Sequence, residues 1–428
     1  MLSRLDLRGA GGDLRSRLPR PAPAGPPPIE AVREILAEVR KRGDDAVREY
    51  TRRFDKAEVD ALRVPQAELA AALAATPPAL RVALEAAHGA ITAYHRTQLH
   101  DSPPYVRDGV VIRELRRPVD RAGAYVPGGR AGYPSTVLMT ALPARVAGVE
   151  EVVVCVPPRP DGTVDQTTLA AAALAGVTEV YRIGGAQAIG AMAYGTDSIR
   201  PVDVIVGPGN VYVALAQREV AAEGAVGVSS AFAGPSEVVV IADATTPVEW
   251  AAIDVIVQAE HGPDGLAWLI TWDDAVADAV TVAVARLVAE SPRRAEIEST
   301  LARGGYAAVV EGPEQAMAVA NFIAPEHLEL MCERPEALLP LVRHAGAVFC
   351  GPYSPASVGD YLAGPSHVLP TYGSARFAGG LRVDDFLRHI HAITLDAEAM
   401  AGVAGSVAAI ADAEGLAAHA LSARMRAR

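Results

Sequence analysis

Apolar residues at Ile29, Val32, Ile35, Leu36 and Val39 recur at the spacing of one helical face and predict an amphipathic helix over 29–42, stopped by Gly43. A second long helix is predicted over 78–100. Past residue 120 the pattern changes. Short β-rich runs bounded by Gly and Pro occur at 123–126, 151–156, 179–183, 203–206 and 237–241, then at 267–271, 307–310 and 347–350. Helical stretches fall between them, as at 165–175, 210–221, 247–259 and 273–290. Alternation this dense predicts parallel sheets with helices on both faces.

Two runs, Glu151-Val152-Val153-Val154 and Glu237-Val238-Val239-Val240, each open such a unit, which suggests two similar lobes. After about Leu381 the strand signal gives way to an alanine-rich helical tail. The fold expected is α/β, with two Rossmann-like parallel-sheet lobes, a small N-terminal arm and a helical C-terminal domain. The expected division is an arm and proline-rich linker over 1–28, a first lobe from 29–124 plus 238–381, a second lobe over 125–237, and the helical domain over 382–428.

Composition narrows the function classes. The chain has 428 residues, too many for one compact core. Its net charge of −12, from 39 basic against 51 acidic residues, argues against nucleic acid as a partner. No apolar run approaches the roughly 20 residues that span a bilayer, so no membrane segment is expected. The opening Met1 to Arg8 mixes charges and has no apolar stretch of the kind found in secretory signals. Cys155, Cys332 and Cys350 have no CxxC spacing, which suits a reducing cytoplasm and a metal site without thiolates.

Candidate chemistry lies in a few polar segments set among alanine and valine. Gln258-Ala259-Glu260-His261-Gly262 closes a predicted helix, and its amide and imidazole, three residues apart, share a face that can address one metal ion. Glu326-His327 follows Pro325. At a loop or a helix start the two can point into one cleft, the imidazole shuttling protons and the carboxylate activating water. Gly359-Asp360-Tyr361 precedes Gly364-Pro365-Ser366-His367, a loop able to bring a carboxylate and an imidazole to a ligand. Glu414 and His419 lie in the tail. Gly-rich strand ends at Tyr125-Val126-Pro127-Gly128-Gly129, Gly184-Gly185-Ala186-Gln187 and Gly207-Pro208-Gly209-Asn210 allow close backbone approach to a nucleotide, although none is GxGxxG. Each segment also has an ordinary explanation as a tight turn, a helix cap or an acidic helix start.

Taken together and in this order, YVPGG (125–129), GGAQAI (184–189), GPGN (207–210), AGPSE (233–237), QAEHG (258–262), PEHLE (325–329) and GDY with HVLPT (359–371) closely resemble histidinol dehydrogenase over nearly the whole chain. The resemblance implies oxidation of L-histidinol through L-histidinal to L-histidine with two NAD⁺, the closing steps of histidine biosynthesis. It implies zinc, replaceable by Mn²⁺ or Co²⁺, held by Gln258, His261, Asp360 and His419. It implies Glu326 and His327 as the acid/base pair, with His327 also contacting the substrate. Substrate contacts fall on Ser236, His367 and Glu414 together with the four metal ligands, and NAD contacts on Tyr125, Gln187 and Asn210. It further implies a cytoplasmic homodimer with shared sites, the segment bearing Glu414 and His419 completing the site of the other subunit.

Three other readings compete on the residues alone. A zinc hydrolase would use the same ligands with metal-bound water, leaves the glycine-rich strand ends unexplained, and turns over without NAD⁺. A two-lobed binding protein needs no Glu326-His327 pair. A related dehydrogenase for another amino alcohol keeps every motif. A covalent thiol route is disfavoured, because Cys155 lies inside the apolar run Val152 to Val156 and Cys332 and Cys350 have no motif around them.

Overall fold

A computed structural model describes residues 1–10, 14–19, 27–128, 132–177, 179–229, 236–261 and 265–427, the side chain of His261 excepted. Residues 20–26 of the proline-rich stretch, Gly129, Ala233 to Pro235 and Gly262 fall outside that set.

Valine- and isoleucine-rich runs form two parallel sheets, because strands covered by helices on both faces need apolar residues at nearly every position. The first sheet runs in the order Ser3–Asp6, Gly305–Val309, Leu266–Thr271, Glu237–Ala242, His327–Met331 and Ala347–Cys350. Its central Glu237–Ala242 strand is buried throughout. Val238, Val240 and Ala242 pack toward the helices Val248–Val257 and Asp274–Glu290, while Val239 and Ile241 pack toward Pro313–Ile323. The second sheet runs Glu179–Arg182, Glu151–Val156, Arg121–Tyr125, Val204–Val206 and Gly227–Val228. A smaller antiparallel sheet joins Leu387–Thr394, Val110–Pro118 and Tyr105–Arg107.

The helix Ile29–Arg42 and its stop at Gly43 match the periodicity, with Val32, Ile35, Leu36 and Val39 buried. Three parts of the expected division need correction. The helices Ile29–Arg42 through Pro78–Arg96 bury their apolar faces against the second sheet, so residues 29–96 do not belong to the first lobe. The N-terminal arm is not an appendage either: Ser3–Asp6 is an edge strand of the first sheet. Finally, the region after 382 is not wholly helical, because Leu387–Thr394 pairs with Val110–Pro118 before the helices Ala397–Ala413 and Ala417–Arg426 begin. These strands are half-solvated, so their apolar signal is weak.

Buried charge at the amino ends of the second sheet is paired. Arg121 donates to Glu151 Oε2 at 2.5 Å and to Glu179 Oε2 at 2.6 Å, and Tyr181 donates to Glu179 at 2.9 Å. No single described helix is long and apolar enough to cross a membrane.

Candidate active site

Glu326 sits in the bend after Pro325, the loop position the sequence allows, whereas His327 neither starts a helix nor lies in that loop. His327 is the first residue of the buried strand His327–Met331, paired with Val238 on one side and Ala347 on the other. Strand pairing therefore holds it rigidly at the amino end of the first sheet. Its Nδ1 lies 3.1 Å from the Glu237 carbonyl, which can only accept, so Nδ1 carries a proton and donates. Nε2 is then the basic atom of the neutral ring, and it faces Asp360 Oδ1 at 3.5 Å. Glu326 Oε2 lies 3.5 Å from His327 Nδ1 and accepts the Glu237 N–H at 3.0 Å.

Asp360 comes from the short helix Ala356–Tyr361, which crosses over Phe349 of the neighbouring strand. Gly359 makes that crossing possible, since a Cβ there would meet the Phe349 ring at 2.6 Å. Phe349 in turn stacks on His327 with ring centroids 5.9 Å apart. Gln258 caps the end of Val248–Val257, is 1 % exposed, and donates from Nε2 to Asp360 Oδ2 at 3.5 Å. Its Oε1 is buried, and no described residue partners it. The backbone of His261 follows in the turn Ala259–His261.

His367 Nδ1–H donates to the Asp360 carbonyl at 3.1 Å, so its Nε2 accepts from the Thr136 hydroxyl at 3.2 Å. Thr136 lies in the first turn of the helix Pro134–Ala147, which follows the strand ending at Tyr125. The 359–367 segment thus ties the metal-type cluster to the second lobe. His327, Phe349, Asp360 and His367 line one cleft of about 590 Å³. A larger cleft of about 820 Å³, beside Arg343 and Arg376, contains none of the candidate residues.

Burial and charge set the protonation of these groups. Burial pushes the Glu326 carboxyl up to about 7, with the Asp360 charge adding to the rise. Burial alone would lower His327; the Glu326 and Asp360 carboxylates outweigh it and raise the imidazole to about 9. Glu237 is raised to about 8 by burial and by the facing Glu326. Carboxyls shifted toward neutral pH beside a cleft are what acid/base work requires. The thiols move the other way from reactivity: burial pushes Cys155 up to about 12 and also raises Cys332 and Cys350.

The candidate cofactor residues gather at the carboxyl ends of the second sheet, where a nucleotide is expected. Tyr125 is buried, and its hydroxyl accepts the Gly185 N–H at 3.1 Å. Gln187 is fully buried, and among the described residues neither of its amide atoms has a partner. Asn210 caps the helix Val211–Ala222, its Oδ1 accepting from Tyr212 N at 3.0 Å and Val213 N at 3.2 Å. Gly207 has φ +109°, and a Cβ there would sit 2.1 Å from the Tyr125 carbonyl oxygen, so only glycine lets these two strand ends meet. Ser236 directly precedes the Glu237 strand.

Glu414 and His419 are not brought to the cleft within one chain. Glu414 ends the helix Ala397–Ala413, His419 lies in Ala417–Arg426, and both are exposed. Among the described residues, no group of three or more His, Cys, Asp or Glu side chains is placed to hold a metal. Sequence reasoning also missed Glu237, Asp254 and Glu329. Their only signal was an acid inside or beside a run otherwise built for burial.

A family model described as histidinol dehydrogenase matches residues 26–427. A histidinol dehydrogenase of Parasynechococcus marenigrum is 50 % identical over 396 residues, covering 92 % of this chain and 89 % of that protein. One from Gluconobacter oxydans is 48 % identical over 400 residues, covering 93 % and 92 %. The crystal structure of histidinol dehydrogenase from Elizabethkingia anophelis superimposes with a TM-score of 0.95 at 33 % identity, over 99 % of this chain and 98 % of that one.

Proposed function

The chain belongs to the histidinol dehydrogenase family, oxidoreductases of histidine biosynthesis, and from that premise we propose that it carries out the zinc-dependent, four-electron oxidation of L-histidinol to L-histidine through L-histidinal, using two NAD⁺. The observation that carries this reading is the chain of side chains Gln258, Asp360, His327 and Glu326, two of which line the cleft, with a buried amide oxygen that no described residue partners among them. A buried acceptor without a donor is costly, and a cation satisfies it.

The residues present fit a divalent metal. Gln258 Oε1, Asp360, His261 and, from a second copy of the chain, His419 would form an oxygen- and nitrogen-rich set suited to zinc. Zinc, when bound, supplies a Lewis-acid anchor for the imidazole and amino group of the substrate. NAD⁺ supplies the hydride acceptor, and the unpartnered Gln187 amide beside Tyr125 and Asn210 fits its carrier role.

The chain does the proton work. His327 Nε2 takes the hydroxyl proton as hydride leaves the alcohol carbon. Its Nδ1–H, fixed on the Glu237 carbonyl, keeps the ring in the tautomer that can do this. Asp360 is one of the two carboxylates that raise His327, so a cation held on it would leave the imidazole freer to act as a base. Glu326, anchored through Oε2 and poised near neutrality, activates the water that hydrates the aldehyde. His327 then assists the second oxidation. Ser236, His367 and Glu414 complete the substrate contacts.

Sharing of sites between two subunits accounts for the exposed tail in a cytoplasmic enzyme. The helical hairpin buries only a small alanine cluster of its own, while Ile410, Leu421 and Met425 stand more than half exposed. A second copy of the chain covers them in this reading. Mixing Glu326→Gln protein with His419→Ala protein, each inactive alone, should restore up to about a quarter of wild-type activity through mixed dimers with one intact site. No recovery after subunit exchange would remove the shared site. The chemistry itself is tested by stoichiometry: about two NADH should form per L-histidinol consumed, one hydride for each two-electron step. A ratio near one would mean the enzyme stops at the aldehyde, and no NADH would discard the substrate.

A further inference from the structure

Below the cleft lies a second pair of acids that the chemistry above does not use. Glu329 is 2 % exposed and Asp254 is 6 % exposed. Glu329 follows His327 by two residues, so both side chains leave the same face of one strand. Its Oε1 accepts the Ala356 N–H at 2.8 Å. Ala356 is the first residue of the helix that carries Asp360 one turn later, and Pro355 offers that helix no side-chain cap of its own. Glu329 therefore caps this helix from another element.

Asp254 lies one turn before Gln258 on the same helix face, near enough to the Glu329 carboxyl for its charge to act on it. Two acceptor-only carboxylates cannot satisfy each other. Glu329 Oε2 has no described donor facing it, so one proton held between the acids is the arrangement that pairs both. Burial, followed by the Asp254 charge, holds Glu329 well above the usual carboxyl range, in keeping with that proton. The pair thus links the three elements that carry Gln258, His327 and Asp360.

We propose that Glu329, tied to Asp254 and to the Ala356 N–H, is a positioning residue that sets the Gln258–Asp360–His327 triangle and thereby the affinity of the metal site. The inference rests on the zinc reading above. It concerns no ligand atom directly: Glu329 acts through the strand, the capped helix and the helix ending at Gln258.

The test titrates metal-free protein with zinc against a chromophoric chelator and measures kcat and KM for L-histidinol on the reloaded enzyme. Glu329→Gln retains an acceptor for Ala356 and a donor for Asp254, so zinc affinity and kcat should stay within about threefold of wild type. Glu329→Leu should weaken zinc binding by about tenfold or more, the usual loss when a group that orients a ligand is removed. Ala356→Pro deletes only the donated N–H. It sits at the first helical position, after a Pro355 already extended at φ −73° and ψ 155°, where proline folds readily. It should reproduce the loss in zinc affinity and kcat while leaving NAD⁺ binding at the second lobe unchanged.

Wild-type zinc affinity in Ala356→Pro overturns the proposal, whether or not Glu329→Leu folds. So does a Glu329→Gln protein as impaired as Glu329→Leu. A wild-type protein that binds no zinc sinks the metal reading instead, and the positioning role is then judged on kcat/KM of Ala356→Pro, where a wild-type value refutes it.

Discussion

Gly359→Ala is the smallest change that should disable the site. The added Cβ would stand 2.6 Å from Phe349 Cε1 and Cζ, about 1 Å inside ordinary contact. Two responses are open. The Ala356–Tyr361 helix can retreat, which carries Asp360 away from His327 and Gln258. Alternatively the Phe349 ring can turn, which disturbs its stacking on His327 or fills the cleft. Overpacking of this kind costs about 1–3 kcal/mol. Replacing glycine within a helix returns up to about 1 kcal/mol, so the net loss of stability should be small, on the order of 1–2 kcal/mol. Activity is far more sensitive, because a misplacement of about 1 Å in a reacting constellation costs on the order of a hundredfold. The assay is kcat/KM for L-histidinol alongside a thermal melt. The expected result is a large activity loss at nearly unchanged stability, partly reversed in Gly359→Ala/Phe349→Leu, where the ring that blocks the methyl is gone. Activity within threefold of wild type in the single variant would show that Asp360 does not depend on this crossing.

Asp55 ends the helix Asp44–Asp55, with Oδ2 buried and unpartnered, and burial raises it from 3.8 to about 6. A carboxyl raised in the folded state favours folding while protonated, and that advantage is lost as pH rises from about 4 through 6. Full conversion gives about 3 kcal/mol, which partial exposure reduces to about 1–2 kcal/mol. Asp55→Asn should therefore stabilise the protein at pH 8 and not at pH 4, by denaturant unfolding; an equal gain at both values would refute the burial penalty. Arg121→Met should cost about 1.5–3 kcal/mol, because it removes the charged donor that the half-buried Glu179 relies on most. Adding Glu179→Gln should recover part of that, and additive losses would deny the coupling. Cys155→Ala should keep full activity, and its loss would revive a thiol route.

The strand and helix rhythm of residues 120–350 was legible because parallel strands buried on both faces are written as uninterrupted apolar runs. The bounds of Glu151–Val156 and Ala347–Cys350 agree with the sequence reading. The strand His327–Met331 was not legible, since two of its five residues are a histidine and a glutamate that propensity assigns elsewhere. Central pairing to Glu237–Ala242 and Ala347–Cys350 overrides that preference. Which lobe takes the helices of residues 29–96 was hidden too. Periodicity reveals that a face is apolar and carries no information on which sheet receives it. The site residues were visible as types, yet Glu329 reads in sequence as one more surface acid, and only the Ala356 contact exposes its place.

Buried charge occurs twice in this protein, with opposite logic. Around Arg121 each acid meets a cation or a hydroxyl, and Glu179 is driven down to about 2, chiefly by its bond to Arg121. That cluster is electrically complete, and structure is explanation enough for it. Around His327 the acids Glu237, Glu326, Glu329 and Asp360 gather, with Asp254 behind Glu329. Glu237, Asp254, Glu326 and Glu329 are raised, so the protein lowers its buried charge by retaining protons. A site that keeps such an excess of acids in an apolar shell gains from positive charge arriving there. A divalent metal on Gln258 and Asp360, as proposed, and an ammonium-bearing substrate would both supply it, and each would let a retained proton leave. The same excess of buried acids thus favours the cations and the proton transfers that the proposed oxidation requires.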